Sequence, residues 1–322
     1  MRWLRHKAVG TVAAAIVLAG LVGALLAACG HAPAPSHARQ LRSPFTGEPV
    51  RSLSRVLAVK IDNIVNARPQ TGLTHADLVY VLPVEGGLSR FLAVFSAHDP
   101  PVIGPVRSAR EDDLELLRQF GRPAFAYSGA TATLLPYIAR TARIVDLYDG
   151  IASGYYRGSS RVAPYNLYAH SKQLLNQAAH ASQARDIGFR FGPPPPGGTA
   201  TRSAAVSYPA ASFAFTWSAG KGAWLVSMDG APAVTTDGGR LAPATVVIQH
   251  TTVRTSRFLE YGKPPPYAES TGSGTALVLR DGKAWTTHWS RPDANAGTTY
   301  TTTSGQRMIF APGQVWIVLA YR

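Results

Sequence analysis

The chain has 322 residues, 46% of them hydrophobic, a single cysteine and a formal charge of +14. That length allows two domains of ordinary size with packed cores, whereas one cysteine rules out an internal disulfide scaffold and a cysteine-rich zinc site. The first seven residues contribute three of the charges through Arg2, Arg5 and Lys7, leaving +11 on the remainder, a balance that favours anionic partners.

Residues 1–28 read as an export signal. A positive start is followed by a nearly wholly apolar run from Ala8 to Leu26, which closes on Leu26-Ala27-Ala28-Cys29. Small residues before a cysteine have the spacing of a bacterial lipobox, so cleavage before Cys29 and its lipidation are expected. An uncleaved anchor is the alternative, since about 18 apolar residues can span a bilayer. A third reading leaves Cys29 incidental to an ordinary signal peptide. Lipidation would leave no free thiol and would hold the chain on the extracytoplasmic side of a membrane. Nucleic acid is then not an expected partner; anionic envelope polymers, acidic glycans or lipid headgroups are. Residues 29–40 form a short Pro-containing tether unable to bury enough apolar surface to fold.

Residues 41–192 alternate strand and helix signals. Val56–Ile61, Leu78–Leu82 and Arg90–Phe95 read as buried strands, and Ala124–Tyr127 as another. Between them, Ser108-Ala109-Arg110-Glu111 fits a capping box ahead of a stripe of Leu114, Leu117 and Phe120. Further helices are expected near 131–140 and 170–183, the second presenting Leu174, Leu175 and Ala178. Pro193 to Gly198, four prolines and two glycines, marks a linker. Residues 199–322 look mostly β: Phe213, Phe215 and Trp217 alternate with smaller residues, and turns recur at Asp229-Gly230, Asp281-Gly282 and Pro312-Gly313. Strands near 244–249, 275–279 and 315–319 suggest a small sandwich or barrel. The fold class is α+β, a mixed α/β N-terminal domain followed by a mostly-β C-terminal one.

Familiar catalytic signatures are missing. There is no H-E-x-x-H, P-loop or G-x-S-x-G, and Gly272-Ser273-Gly274 reads as a turn before a strand. Ser218 and Lys221 fit S-x-x-K, but Gly220 and Gly222 make that segment a hairpin turn. His75, His98, His170, His180, His250 and His288 lack metal-ligand spacing, so neither a metal nor a cofactor is expected.

The informative residues are polar ones at strand ends and in loops. Asp62 and Asn63 follow the first strand, Arg68 lies in the next loop, Glu85 closes the second strand and Arg90 opens the third. Arg107 and Arg110 lead into a helix, with Asp112 just inside it; Arg157, Arg161 and Asn166 come later. Loops at the carboxyl ends of strands favour ligands, and helix starts and arginine forks favour anions. One reading is therefore an anion-accepting cleft of Asn63, Arg68, Arg90, Arg107, Arg110, Arg157, Arg161 and Asn166. The competing reading is internal pairing, with Asp62, Glu85 and Asp112 each satisfying an arginine and fixing the loops.

Several of these segments carry a resemblance. Ser43–Val50, Ile61–Asn63, Ala67–Leu73, Ala76–Tyr80, Val84–Phe91, Ile103–Arg110, Tyr156–Asn166 and Ala311–Ile317 together resemble the DUF3048 family, lipoproteins similar to Bacillus YerB. The resemblance runs from about residue 43 to the C-terminus. It implies an N-terminal and a C-terminal domain, in agreement with the break at Pro193, and assigns no catalytic residue. Two positions depart from the family pattern: Tyr165 stands where a histidine is common, and Gly158 where an acid is common. A general base carried by that histidine would be missing here.

Three functions compete. The first is an envelope binding or scaffold protein that recognises an anionic glycan, a phosphorylated wall polymer or a protein partner. A second is an envelope-polymer hydrolase or transferase in which Asp62, Glu85 and Asp112 supply acid and base, which requires environments that split their pKa values. The third, a lipoprotein capturing substrate for a transporter, fits poorly with two lobes of unlike fold. The first is the expected one.

Overall fold

A computed structural model describes residues 40–260 and 262–322; the signal, Cys29 and most of the tether lie outside the described residues. Residues 41–322 form one compact unit. Its strands, in chain order, are β1 (Leu57–Asp62), β2 (Leu78–Pro83), β3 (Ser89–Phe95), β4 (Ala124–Tyr127), β5 (Val145–Tyr148), β6 (Tyr155–Arg157), β7 (Leu167–Ala169), β8 (Thr199–Ala200), β9 (Ser203–Tyr208), β10 (Ala211–Ser218), β11 (Ala223–Met228), β12 (Ala231–Pro232), β13 (Val234–Thr235), β14 (Gly239–Arg240), β15 (Thr245–Thr251), β16 (Val253–Thr255), β17 (Pro266–Ala268), β18 (Gly272–Arg280), β19 (Lys283–Arg291), β20 (Thr299–Thr302) and β21 (Val315–Tyr321). Three short helices interrupt them: α1 (Glu111–Leu117), α2 (Leu134–Ala139) and α3 (Ser171–Gln177).

Eleven strands join in one mixed sheet, ordered β20-β19-β18-β15-β21-β2-β3-β1-β4-β5, with β8 added beside β19. Its central strands are buried on both faces, which is why β1, β2 and β3 read as continuous apolar runs. Leu57, Val59 and Ile61 of β1 face one core and Val56 and Ala58 the other. The second face is covered by α1 and α2; onto the first packs a separate four-stranded sheet, β12-β11-β10-β9. Phe213 and Phe215 of β10 form the seam, with ring centroids 6.1 Å from Phe91 and 6.3 Å from Trp316 respectively.

The α+β class is as expected, with differences in its arrangement. The expected small sandwich or barrel at the C-terminal end does not form by itself. Instead β15 and β18–β21 extend the sheet begun by β1–β5, and β21 runs parallel to both β15 and β2 between them. Strand patterning reports which faces are buried and not which strand is the neighbour, so both arrangements suit the same sequence. The helices are shorter than expected. The capping residue of α1 is Arg110 and not Ser108: its amide donates to Asp113 Oδ2 at 2.7 Å, the carboxylate half of a capping box, shifted along the chain.

A candidate anion-binding cavity at the carboxyl end of the central strands

Register brings the polar ends together. Antiparallel pairing sets Asp62 of β1 opposite Arg90 of β3, and Arg90 opposite Leu82 of β2, two residues before the Val84-Glu85 turn. Gly86 and Gly87 take φ of 71° and 72° there, and a Cβ on Gly87 would lie 2.6 Å from Pro209, so the tight turn needs glycine. The segment after Gly104 lies along the end of β1: Asp62 N–H donates to the Pro105 carbonyl at 2.9 Å and Arg107 N–H to that of Lys60 at 2.8 Å. Arg107 is thereby placed beside Asp62, and Arg110 follows at the start of α1.

Together these residues wall a cavity of about 600 Å³. Asp62, Glu85, Arg90, Arg107 and Arg110 line it, with Ile64, Val84, Leu88 and Tyr165, and with Glu260 and Lys263 from a hairpin 150 residues away in sequence. That hairpin is held by α1: Glu111 accepts from Ser256 Oγ at 2.6 Å and from the Arg257 amide at 3.1 Å. Sequence reading missed Glu260 and Lys263, because nothing near them marks a site and only the sheet topology delivers them.

The ion pairs are unevenly satisfied. Arg110, almost fully buried, forks onto Glu85 at 2.5 and 3.1 Å and reaches Glu260 at 3.3 Å. Burial pushes the Glu85 carboxyl up, but the Arg110 hydrogen bond and charge, with the charge of Arg90, outweigh it and hold Glu85 below its ordinary value. Arg90 donates to the Ser108 carbonyl at 3.1 Å and lies 4.0 Å from Asp62; its Nε is buried without a hydrogen-bond acceptor among the described residues. Burial first, then the charge of Arg110, pushes its guanidinium down to about 10, so it stays charged at neutral pH. Arg107 Nε stands 2.8 Å from Asp62 Oδ2 at an angle that directs no hydrogen bond, and among the described residues its side chain donates none. The guanidinium lies 5.9 Å from the centre of the Tyr165 ring. Four cations face three carboxylates across the cavity, a surplus of one positive charge.

The other expected site residues do not line it. Asn63 donates to Ser89 Oγ at 2.9 Å and accepts from Arg68 Nε and Gln70 Nε2; Arg68 also bonds Asp229 at 2.8 Å, tying this loop to the four-stranded sheet. Arg157 bonds Asn166, and Arg161 bonds Tyr168 and the Pro69 carbonyl, so these stiffen the β6–β7 hairpin and its contact with the 68–70 loop. Asp112 is buried under β17, and among the described residues it accepts only a long 3.4 Å bond from the Ala268 amide. Burial raises its pKa, and so does the charge of Asp113. The start of α1 is taken up by its own acids, Glu111, Asp112 and Asp113, so the cavity's cationic character comes from arginine side chains and not from a helix end. No three His, Cys, Asp or Glu side chains among the described residues converge as a metal site would require.

A mixed sheet whose strand ends enclose a polar cavity defines an α+β protein, and comparison supplies the family. The chain belongs to the DUF3048 family: "Protein of unknown function (DUF3048) N-terminal domain" matches residues 45–185, and the corresponding C-terminal domain matches residues 204–317. A Bacillus subtilis protein named "Putative lipoprotein YerB" is 33% identical over 159 residues, a stretch spanning 48% of this chain and 48% of that relative. The crystal structure of YerB from B. subtilis superposes with a TM-score of 0.74 at 22% identity, covering 87% of this chain and 97% of that one, a likeness of fold. Both family segments contribute strands to the one large sheet, β1–β5 from the first and β15 and β18–β20 from the second, with β21 beginning inside the second.

Proposed function

We propose that this chain is a lipoprotein anchored through Cys29 on the extracytoplasmic side of a membrane, and that its body binds an anionic envelope ligand in the cavity bounded by Arg90, Arg107 and Arg110. The anchor is supported by the Leu26–Cys29 pattern and by the name of the relative. Binding is supported above all by Arg107, whose guanidinium borders the cavity without a directed hydrogen bond from its side chain among the described residues. A cation held beside a ring and beside a buried, unpaired Arg90 Nε suits a carboxylate or phosphate oxygen, which accepts charge-assisted hydrogen bonds. An acid–base role has less support: Glu85 is forked by Arg110, Asp62 lies between two arginines, and Asp112 is outside the cavity.

Thermal melting of residues 41–322 against fractionated envelope polymers and acidic glycans tests this. Ligand at a hundred times its dissociation constant adds about 2.7 kcal/mol. The expected result is a saturable rise in Tm with one fraction, lost in Arg107→Ala while that variant still melts cooperatively. A wild-type protein that no anionic fraction stabilises would end the proposal.

A further inference from the structure

A second polar cavity lies at the other end of β2. Asp77 precedes that strand and Val84 follows it, so at about 3.3 Å per residue the two ends stand roughly 20 Å apart. The cavity holds about 260 Å³ and is lined by Glu48, Thr74, His75, Asp77, His98 and Gln314. Hydrogen bonds bring these distant segments together. The Gly313 amide donates to the Thr46 carbonyl at 2.9 Å, which holds the turn carrying Glu48 against the start of β21. Gln314 Nε2 donates to the carbonyls of Leu73 and Ala76 at 3.0 and 2.7 Å, fixing the segment that carries His75 and Asp77. Asp77 itself is held on both sides: its amide donates to the Val94 carbonyl of β3 at 2.8 Å, and its own carbonyl accepts from the Val315 amide of β21 at 3.1 Å.

The Asp77 carboxylate is thus firmly placed, 1% exposed and only half used. Oδ2 accepts from the Ala97 amide, whereas Oδ1 is buried with no hydrogen-bond partner among the described residues. The neighbouring charges that bear on it most, those of Glu48 and Asp99, are negative too. In a chain of formal charge +14 this is a local excess of the opposite sign. A buried carboxylate beside like charges is costly until a cation reaches it. An ammonium group carries three N–H donors and no acceptor, and the wall supplies acceptors in Asp77 Oδ1, the Glu48 carboxylate and the Thr74 hydroxyl. A metal ion is less well served, since no three His, Asp or Glu side chains among the described residues converge on one point. Whole drug-sized ligands occupy about 300–1,000 Å³, so a cavity of this size suits a headgroup.

We propose that this cavity is a binding site for a primary ammonium group, held by Asp77 and Glu48 and independent of the arginine cavity. The ammonium belongs either to a small free amine or to a lysine-like side chain of a larger partner.

The test is thermal melting of residues 41–322, a compact unit that holds both hydrophobic cores. It is run at pH 8, above the value of about 7 to which burial raises Asp77. Butylammonium chloride should give a saturable rise in Tm at fixed ionic strength. Butyltrimethylammonium, with the same charge and no N–H donor, should give none. Asp77→Asn and Glu48→Gln should each weaken butylammonium binding about tenfold. Asp77→Asn should itself melt higher than wild type at this pH, which separates lost binding from lost folding. N-acetyl-lysinamide distinguishes the sources: tighter binding than butylammonium supports a tethered side chain, and equal binding supports a free amine. No rise with either amine, an equal rise with butyltrimethylammonium, or a rise unchanged in Asp77→Asn overturns the proposal. A rise with zinc chloride alone also overturns it and would assign the histidines to a metal.

Discussion

Asp77 shows how strongly position sets the chemistry of one side chain. It is buried at the entry to β2, where Oδ2 accepts from the Ala97 amide at 2.9 Å and Oδ1 has no hydrogen-bond partner among the described residues. Burial, followed by smaller contributions from the charges of Glu48 and Asp99, raises its pKa from 3.8 to about 7. The native state therefore keeps a proton on Asp77 that the unfolded chain releases near pH 4. Stability contributed by this proton is present at low pH and is lost as pH rises through about 7. Asp77→Asn should flatten that decline, so the variant's Tm should gain on wild type from pH 5 to pH 8. An identical pH profile for both proteins would show that the carboxyl ionises without cost. No catalytic or binding signal in the sequence marked this aspartate, because groups around it such as Glu48, Ala97 and Gln314 come from other parts of the chain. By contrast, the candidate cavity was partly legible. Asp62, Glu85, Arg90, Arg107 and Arg110 were readable as polar residues at strand ends, where backbones converge. Arg68, Arg157 and Arg161 looked the same in sequence, and only the partners they find in the fold separate a structural arginine from one that borders a cavity.

Among the elements, α1 ties several parts of the molecule together. Its seven residues carry four acids, and their surroundings differ. Glu111 and Glu115 hold the segment from Ser256 to Thr271, Asp113 caps the helix and pairs with Lys60 of β1 at 2.6 Å, and Asp112 is left buried and nearly unbonded. The Lys60–Asp113 pair is wholly buried, which decides its energetics: removing one partner leaves a charge without compensation, at about 3–5 kcal/mol. Asp113→Ala should lower stability by that order in urea denaturation. Adding Lys60→Met should recover part of the loss, since a buried pair replaced by apolar groups is close to neutral. A double variant no more stable than the single one would place the cost in the lost helix cap instead. The strand-like apolar runs were readable because burial on both faces leaves a strong compositional mark. Helix lengths were overestimated at opposite ends: α2 begins at Leu134 and not near 131, and α3 ends at Gln177 and not near 183.

At the scale of the whole molecule, the decisive feature is that the large sheet is shared. β21 lies between β15 and β2 and supplies backbone hydrogen bonds to both, while Trp316 within it packs 5.5 Å from Phe91 of β3. The proline-rich linker at 193–198 therefore separates two stretches of sequence that complete one core. Cleavage in that linker should leave the two fragments co-eluting and melting in a single transition. Deleting Val315–Tyr321 should abolish cooperative melting of the whole unit, as seen by calorimetry. Two independent transitions after cleavage would show that each stretch folds alone. Composition marks 193–198 as a break between two stretches of sequence, but pairing between distant strands leaves no local trace.

The position of β21 also has a consequence in time. Ribosomes deliver a protein from its amino end, and here the strand that fills the middle follows every other strand of the sheet. Until it arrives, β2 presents an open edge of unpaired backbone groups, a template for wrong partners. The large sheet thus cannot close until β21 has emerged, and the strands on either side of it wait for a shared neighbour.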